Sequence, residues 1–487
     1  MSEIHFGYEP MFEINTPHNP SDSELNRLSE FMTTERNKIP AGYTYLGQFI
    51  DHDIALDSEA GTPPWGTIPS SNTSNKRTPF LDLETIYGFE GPYEGDRPTR
   101  AQLLKENSNT LLKLGDTKPT PIVNRIFVGK DLPRMPDSPK ALIVDSRNDD
   151  NLAVAQTQVA FMRFHNAVVK HLNLDDSTAT FETARRIVIQ HYQWIILKDY
   201  LPRILKTSVL NDVLTEGPQF YFPNPKTPFM PLEFSVAAFR LGHSMIRDRY
   251  NWNLLFNDDP FTDAQPATLC ELTKFTGRGG LGGRKQLVSD WLINWNWFYD
   301  ISINEQHQKF NLAFAIDTKV AHGLRSVIDP CNVPSTFSRE TSLPAFDLYR
   351  ARALGLPTGQ AVAKIILGTK ERILKPEQIA NLLPADLKYV FSKHTPLWFY
   401  LLAEAEIEEQ GQTLGDVGSR IIAETFVELI RHSKPSIFND DFQPNTDFCD
   451  SKGEFGMAPM LKFVRSIEDY QGFDQLNPLE NVDLCDK

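Results

Sequence analysis

Cysteine is scarce in this chain: Cys270, Cys331, Cys449 and Cys485 are the only four among 487 residues. They lie far apart with no paired spacing, which fits neither a zinc centre nor a disulfide scaffold. Long apolar runs are missing as well. No stretch of about 20 apolar residues occurs, so no membrane span is expected. Basic charge is in short supply: 49 Lys and Arg stand against 63 Asp and Glu, a formal net charge of -14. That balance argues against nucleic acid and anionic membrane as partners, because both attract a basic surface. The first residues, MSEIHFGYEPMFEINTP, have neither a basic start nor an apolar stretch, so no standard secretory signal is expected. The plain expectation is a reduced cytoplasm, with export by a signal-less route left open. Nothing in the sequence fixes the oligomeric state.

What is present is ordinary for a globular protein: 40% hydrophobic and 23% charged residues. Apolar residues recur at helical spacing in many places. The pattern predicts helices over 41–56, 150–172, 181–205, 233–247, 285–298, 344–353, 358–367, 375–383, 395–409 and 415–433. Residues 57–77 are rich in Gly, Pro, Ser, Thr and Asn and read as a surface loop. Alternating strand patterns are few. The expected architecture is mainly α, one large helical domain with little β over 41–440. A polar, irregular arm (1–40) precedes it, and an aspartate-rich extension (441–487), packed on the domain or trailing from it, follows.

The densest chemistry lies in Gly47-Gln48-Phe49-Ile50-Asp51-His52-Asp53. On a helix, Gln48 and His52 share one face and Asp51 lies beside it. Polar side chains converging between aromatic and aliphatic ones suit a buried pocket that handles protons. Three further segments follow in order. Arg147 sits in Val144-Asp145-Ser146-Arg147-Asn148-Asp149-Asp150. His243 sits in Ala238-Phe239-Arg240-Leu241-Gly242-His243. Asp347 and Arg350 sit in Leu343-Pro344-Ala345-Phe346-Asp347-Leu348-Tyr349-Arg350.

These four segments, spread over residues 43 to 352, resemble the distal helix, the distal arginine segment, the proximal histidine motif and its backing segment of the animal-type haem peroxidases. The chain is identified on them as a member of the peroxidase–cyclooxygenase superfamily, with a bacterial member expected. The resemblance implies haem b and assigns roles. His52 would be the distal base, moving a proton between the two oxygens of hydrogen peroxide, with Gln48 beside it. Arg147 would stabilise charge on the leaving oxygen; the alternative is a surface arginine paired with Asp145, Asp149 or Asp150. His243 would bind the iron. Arg240 and Arg350 would hold propionates by paired hydrogen bonds.

Asp347 stands where the family usually carries asparagine. It either accepts the other ring N–H of His243, making that ligand more electron-donating, or turns to Arg350 or Arg352. Asp51 and Asp150 correspond to carboxylates that form ester links to haem in many relatives, Asp150 being one methylene shorter than the usual glutamate. Asn151 stands where some halide-oxidising relatives carry a linked methionine, so efficient chloride oxidation is not expected. Thr78-Pro79-Phe80-Leu81-Asp82-Leu83-Glu84 resembles the family's calcium loop, so Thr78, Phe80, Asp82 and Glu84 with Asp53 are the expected Ca2+ ligands; the alternative is a loop closed by ordinary hydrogen bonds. His165 reads as a buried structural residue, and Trp291, Trp295 and Trp297 as packing.

The function this implies is peroxide reduction coupled to oxidation of small organic donors or of bromide, iodide and thiocyanate. A fatty-acid dioxygenase of the same fold is the alternative, but it needs a tyrosine three residues before the axial histidine, where this chain has Arg240. A calcium-binding structural protein on a peroxidase scaffold is the third reading. Retention of Gln48, His52, Arg147 and His243 together argues against it.

Overall fold

The computed structural model describes residues 6–12, 19–31, 37–58, 66, 68, 73–88, 98–122, 125–258, 263–301, 310–326, 330–439 and 441–467. Helices dominate, with short strand pairs between them, as the apolar spacing predicts. The helices that build and frame the core are α1 (Asp22–Phe31), α2 (Ala41–Ile54), α3 (Glu84–Tyr87), α4 (Leu152–Leu172) and α5 (Thr178–Trp194). They continue with α6 (Thr207–Glu216), α7 (Leu232–Ser235), α8 (Leu269–Lys274), α9 (Leu343–Ala353) and α10 (Gly359–Leu367). The last are α11 (Pro376–Leu382), α12 (Leu397–Glu408), α13 (Asp416–His432) and α14 (Met457–Ile467).

Local chemistry explains several boundaries. Asn151 caps α4 by accepting the Val154 N–H at 3.0 Å, and Asn173 ends it in the left-handed region. Thr268 and Glu271 form a reciprocal capping box on α8. Ser342 caps α9, which begins with Pro344 in its first turn.

The buried side chains form one cluster reaching from Met11 to Val464. Helix α2 runs through it and is buried over most of its length. Phe49 of α2 stacks on Phe161 of α4, with ring centroids 5.1 Å apart, and Tyr192 of α5 closes on both rings edge-on. Glycine permits this depth at two points. A Cβ on Gly42 would lie 2.5 Å from the Phe298 carbonyl oxygen, and one on Gly47 would lie 2.4 Å from the Tyr200 hydroxyl.

Some sequence expectations need correction. The supposed irregular arm carries regular structure: Phe6–Glu9 pairs with 74–75 and with 230–231, α1 packs on α9, and Asn37–Pro40 pairs with Leu312–Phe314. In the extension, α14 over 457–467 packs on α4 and starts with its Met457 N–H on Asp199, one of the two arrangements expected of it; 468–487 lie outside the described residues. The supposed helix 233–247 is broken into α7 and a 3-10 turn, Ala238–His243. There Arg240 donates to the Ser235 carbonyl and Ser244 to that of Leu241, side-chain bonds that compete with a regular ladder. Residues 285–298 form only two 3-10 turns, because Asn253 and Trp252 side chains take the carbonyls of Asp290, Trp291 and Leu292.

The cysteine expectation also fails. Cys270 and Cys331, 61 residues apart, form a disulfide with their Cα atoms 4.6 Å apart. A cross-link between positions so distant leaves no spacing signal. With that pair oxidised, the scarcity of paired thiols no longer favours a reduced compartment. No helix among the described residues is long and apolar enough to cross a membrane.

Glu404 of α12 accepts the Val417 and Gly418 N–H groups at the start of α13. Burial pushes its carboxyl up to about 8. A raised carboxyl pKa means the folded state holds the proton more tightly than the unfolded one, so stability falls as pH rises through the window from the usual glutamate range to about 8. Urea unfolding of wild type and Glu404→Gln across pH 5 to 9 should show a smaller pH slope in the variant.

Candidate active site

A cavity of about 300 Å³ opens at the C-terminal half of α2. Gln48, Asp51 and His52 reach it from that helix, Asp150 and Asn151 from the start of α4, and Arg240 and His243 from the 3-10 turn. Apolar side chains complete it, among them Phe239, Ile246, Leu269, Leu324 and Leu343. Two histidines 191 positions apart by number therefore share one pocket.

Each of these rings has a fixed partner on Nδ1. His52 meets the Asn148 Oδ1 at 2.7 Å. His243 meets the Asp347 Oδ2 at 2.6 Å. Asp347 thus faces the histidine and not Arg350 or Arg352; Arg352 pairs with Asp22 and Arg350 with Asp57. With Nδ1 occupied, Nε2 is the atom each ring has left. Burial pulls the His52 imidazole down to about 4, and the nearby Arg147 charge adds to the effect. His52 is therefore neutral at physiological pH.

Arg147 does not line the cavity. Its guanidinium grips the Asp145 carboxylate through Nε and Nη2, and Nη2 also donates to the His52 carbonyl at 3.0 Å. The partner is Asp145, one of those the alternative reading named, yet the charge sits directly behind His52. Although burial pushes the Asp145 carboxyl up, Arg147 and Arg77 hold it far below the usual range. Arg350 is likewise absent from the cavity wall, whereas Arg278 is present and lies 3.3 Å from Asp150.

The loop 73–88 packs against the other side of α2. Asp53 accepts the Leu83 and Thr85 N–H groups, each at 3.1 Å. Glu84 is engaged by Arg77 at 3.2 Å and by the Thr78 N–H and hydroxyl. Asp53 and Asp82 differ. Burial and then the Asp82 charge push the Asp53 carboxyl up, and burial and then the Glu84 charge push that of Asp82 to about 7. The Asp82 Oδ1 is buried with no hydrogen-bond partner among the described residues. Two buried carboxylates short of compensation fit a hard cation, although no group of three His, Cys, Asp or Glu able to hold a metal occurs among the described residues.

The animal haem peroxidase family model matches residues 58–432. The chain belongs to that family. The match contains the segments of Arg147, His243 and Asp347, while α2 precedes it. The peroxidase-like protein of Margaritifera margaritifera is 22% identical over 533 residues, covering 91% of this chain and 61% of its own length. Among solved structures, peroxidase A from Dictyostelium discoideum aligns at a TM-score of 0.61 and 16% identity, covering 98% of this chain and 96% of that one. The fatty acid alpha-dioxygenase of Oryza sativa aligns at 0.58 and 16%, covering 96% and 80%. At these identities the likeness is one of fold.

Sequence reasoning missed Asn148, Arg77 and Arg278. Asn148 lies inside the arginine segment but is an ordinary residue type, and its importance comes from its partners: Thr85, Gln158 and His52. Arg77 is 1% exposed and bridges Glu84 to Asp145, residues it shares no local pattern with. His165 is the satisfied core residue expected, bonded to the Tyr87 hydroxyl and the Thr110 carbonyl.

Replacing Arg77 with Met should remove the cation that Glu84 and Asp145 share, leaving Asp145 to Arg147 and Glu84 to Thr78, and lower unfolding free energy by about 3 kcal/mol. Urea unfolding measures it, with the far-UV spectrum as a check that the variant folds.

Proposed function

We propose that the protein is a haem peroxidase that reduces hydrogen peroxide and oxidises small organic donors or bromide, iodide and thiocyanate. The observation that carries this reading is the pair of histidines lining one cavity, each with Nδ1 held and Nε2 left over. Family membership supports a peroxidase-type oxidoreductase.

The side chains lining the pocket suit haem b. His243 would be the ligand through Nε2, Arg240 a propionate partner, and Asp51 and Asp150 line the same cavity where ester links would form. Bound there, haem would supply the two-electron chemistry of peroxide reduction. The chain's own residues handle the protons. Neutral His52 takes a proton from one peroxide oxygen and returns it to the other. Arg147 acts through His52 by favouring its neutral form, and Gln48 offers a hydrogen bond from the same helix face. Asp347 makes His243 a stronger donor than an amide partner would. Calcium at Asp53 and Asp82, with the Thr78 hydroxyl and Phe80 carbonyl, would neutralise the carboxylates and tie the loop to α2.

A second reading, lipid dioxygenation, has one observation in its favour: Tyr45 and Tyr200 also line the cavity. Neither is in the position that the sequence comparison requires, which Arg240 occupies.

Protein produced with ample haem should show a Soret band that His243→Ala loses or strongly alters. An unchanged spectrum in that variant would sink the proximal assignment. His52→Ala should keep its haem and slow the absorbance change on mixing with peroxide by about 100-fold or more. The wild-type rate should hold down to about pH 5 and fall as His52 gains its proton near 4. With linoleate, an oxygen electrode should record no sustained uptake; formation of lipid hydroperoxides would favour the second reading. Metal analysis should find calcium in wild type and much less in Asp82→Ala.

A further inference from the structure

We propose that Asn148 and Asn151 are positioning residues that fix the hydrogen-bonding state of the cavity: Asn148 holds the His52 proton on Nδ1, and Asn151 turns the Gln48 amide so that its NH2 group faces inward. The inference rests on the peroxidase reading and adds to it the source of the donor–acceptor pattern that meets peroxide.

The argument is a count of donors and acceptors. Asn148 is fully buried. Its Nδ2 has two N–H groups, and they meet the Thr85 Oγ1 at 2.6 Å and the Gln158 Oε1 at 2.6 Å. Only Oδ1, an acceptor, is left to face His52 at 2.7 Å. His52 must therefore donate from Nδ1. A neutral imidazole has one N–H, so Nε2 carries the lone pair. The Gln158 amide agrees with this orientation, since its Nε2 points to the Met162 sulfur at 3.9 Å. Reversing the Asn148 amide alone would set NH2 against His52 and a carbonyl oxygen against the Gln158 oxygen, so the two amides could turn only together.

Asn151 is fixed by a group that cannot reverse. Its Oδ1 accepts the backbone N–H of Val154 at 3.0 Å, so its Nδ2 is the atom that meets the Gln48 Oε1 at 2.9 Å. The Gln48 oxygen is thereby used, and its Nε2 remains for the cavity that Gln48 lines. One helix face, four residues apart, then offers an acceptor at His52 and a donor at Gln48. Hydrogen peroxide has both a donor and an acceptor on each oxygen and matches that pair. Both asparagines sit on one short piece of chain, the 3-10 turn Ser146–Asp149 and the cap of α4, so a single backbone element sets both states.

Two substitutions separate positioning from bulk structure. Asn148→Asp keeps an acceptor for His52, whereas Asn148→Leu does not. Asn151→Asp keeps the helix cap but cannot donate to Gln48. Stopped-flow mixing with hydrogen peroxide should show Asn148→Leu slowed about 10- to 100-fold, with Asn148→Asp restoring most of the rate. In the ferrous carbon monoxide form, the C–O stretch of Asn151→Asp should move to that of Gln48→Leu. In the same form, 15N spectra should show the wild-type His52 Nε2 as an unprotonated ring nitrogen. If wild type does not react with peroxide, the peroxidase reading fails. If wild type reacts and Asn148→Leu reacts equally fast, the inference about Asn148 fails while that reading stands. Should Asn148→Leu not fold, the nitrogen spectrum decides: a proton on Nε2 of wild-type His52 overturns the proposal. A C–O stretch unchanged in Asn151→Asp overturns the part concerning Gln48.

Discussion

Everything around the cavity answers to one constraint: a helix that carries Gln48, His52 and Asp53 is buried in an apolar core, and each polar group on it must find a partner there. The apolar faces of α2 pack on α4 and α5. The side chains of Gln48, His52 and Asp53 are met by two pieces of backbone brought in from elsewhere, the loop 73–88 and the turn 145–151. The partners are themselves joined. Asp53 holds the Thr85 N–H, the Thr85 hydroxyl meets Asn148, and Asn148 meets His52. Glu84 and Asp145 share Arg77, and Asp145 holds Arg147 against the His52 carbonyl. Such a network is costly when incomplete, which explains why so many of its members are fully buried and so few are surface residues.

Most helices were legible in the sequence because a continuous apolar stripe has a period that local residues can state: α4, α5, α9, α10, α12 and α13 fall where the spacing put them. The failures share a cause. At 233–247 and 285–298 side chains compete for backbone carbonyls, and at 6–9 and 37–40 the strand partners lie far along the chain. Long-range pairing leaves no trace in a local pattern. The site divides the same way. His52, Gln48 and His243 meet at the cavity as motif reading placed them, whereas Arg147 and Arg350 do not reach its wall. Whether an arginine points into a pocket or back to a carboxylate is decided by neighbours such as Asp145 and Asp57, which the motif does not weigh.

The fold itself is shared between peroxidases and fatty acid dioxygenases, so architecture does not choose between one-electron donors and lipid. The choice falls to a few atoms. A guanidinium at position 240 cannot form the phenoxyl radical that hydrogen abstraction from lipid needs. A carboxylate at 347 meets the His243 ring at Nδ1, and Asn151 meets the Gln48 amide.

The disulfide bears on how this cavity can change. Cys270 lies between Leu269 and Thr273 on α8, and Cys331 follows Pro330; all three neighbours line the cavity. The cross-link therefore closes residues 271–330 into a ring whose ends travel together behind the rim. Loop closure limits how far the rim segments can separate, whatever the ring between them contains. Thr273, Arg278, Leu324 and Pro330 of that ring line the cavity themselves, so the cross-link joins two parts of one wall. A change at either half-cystine would therefore be felt at both Leu269 and Pro330, on two stretches of wall that the sequence holds far apart.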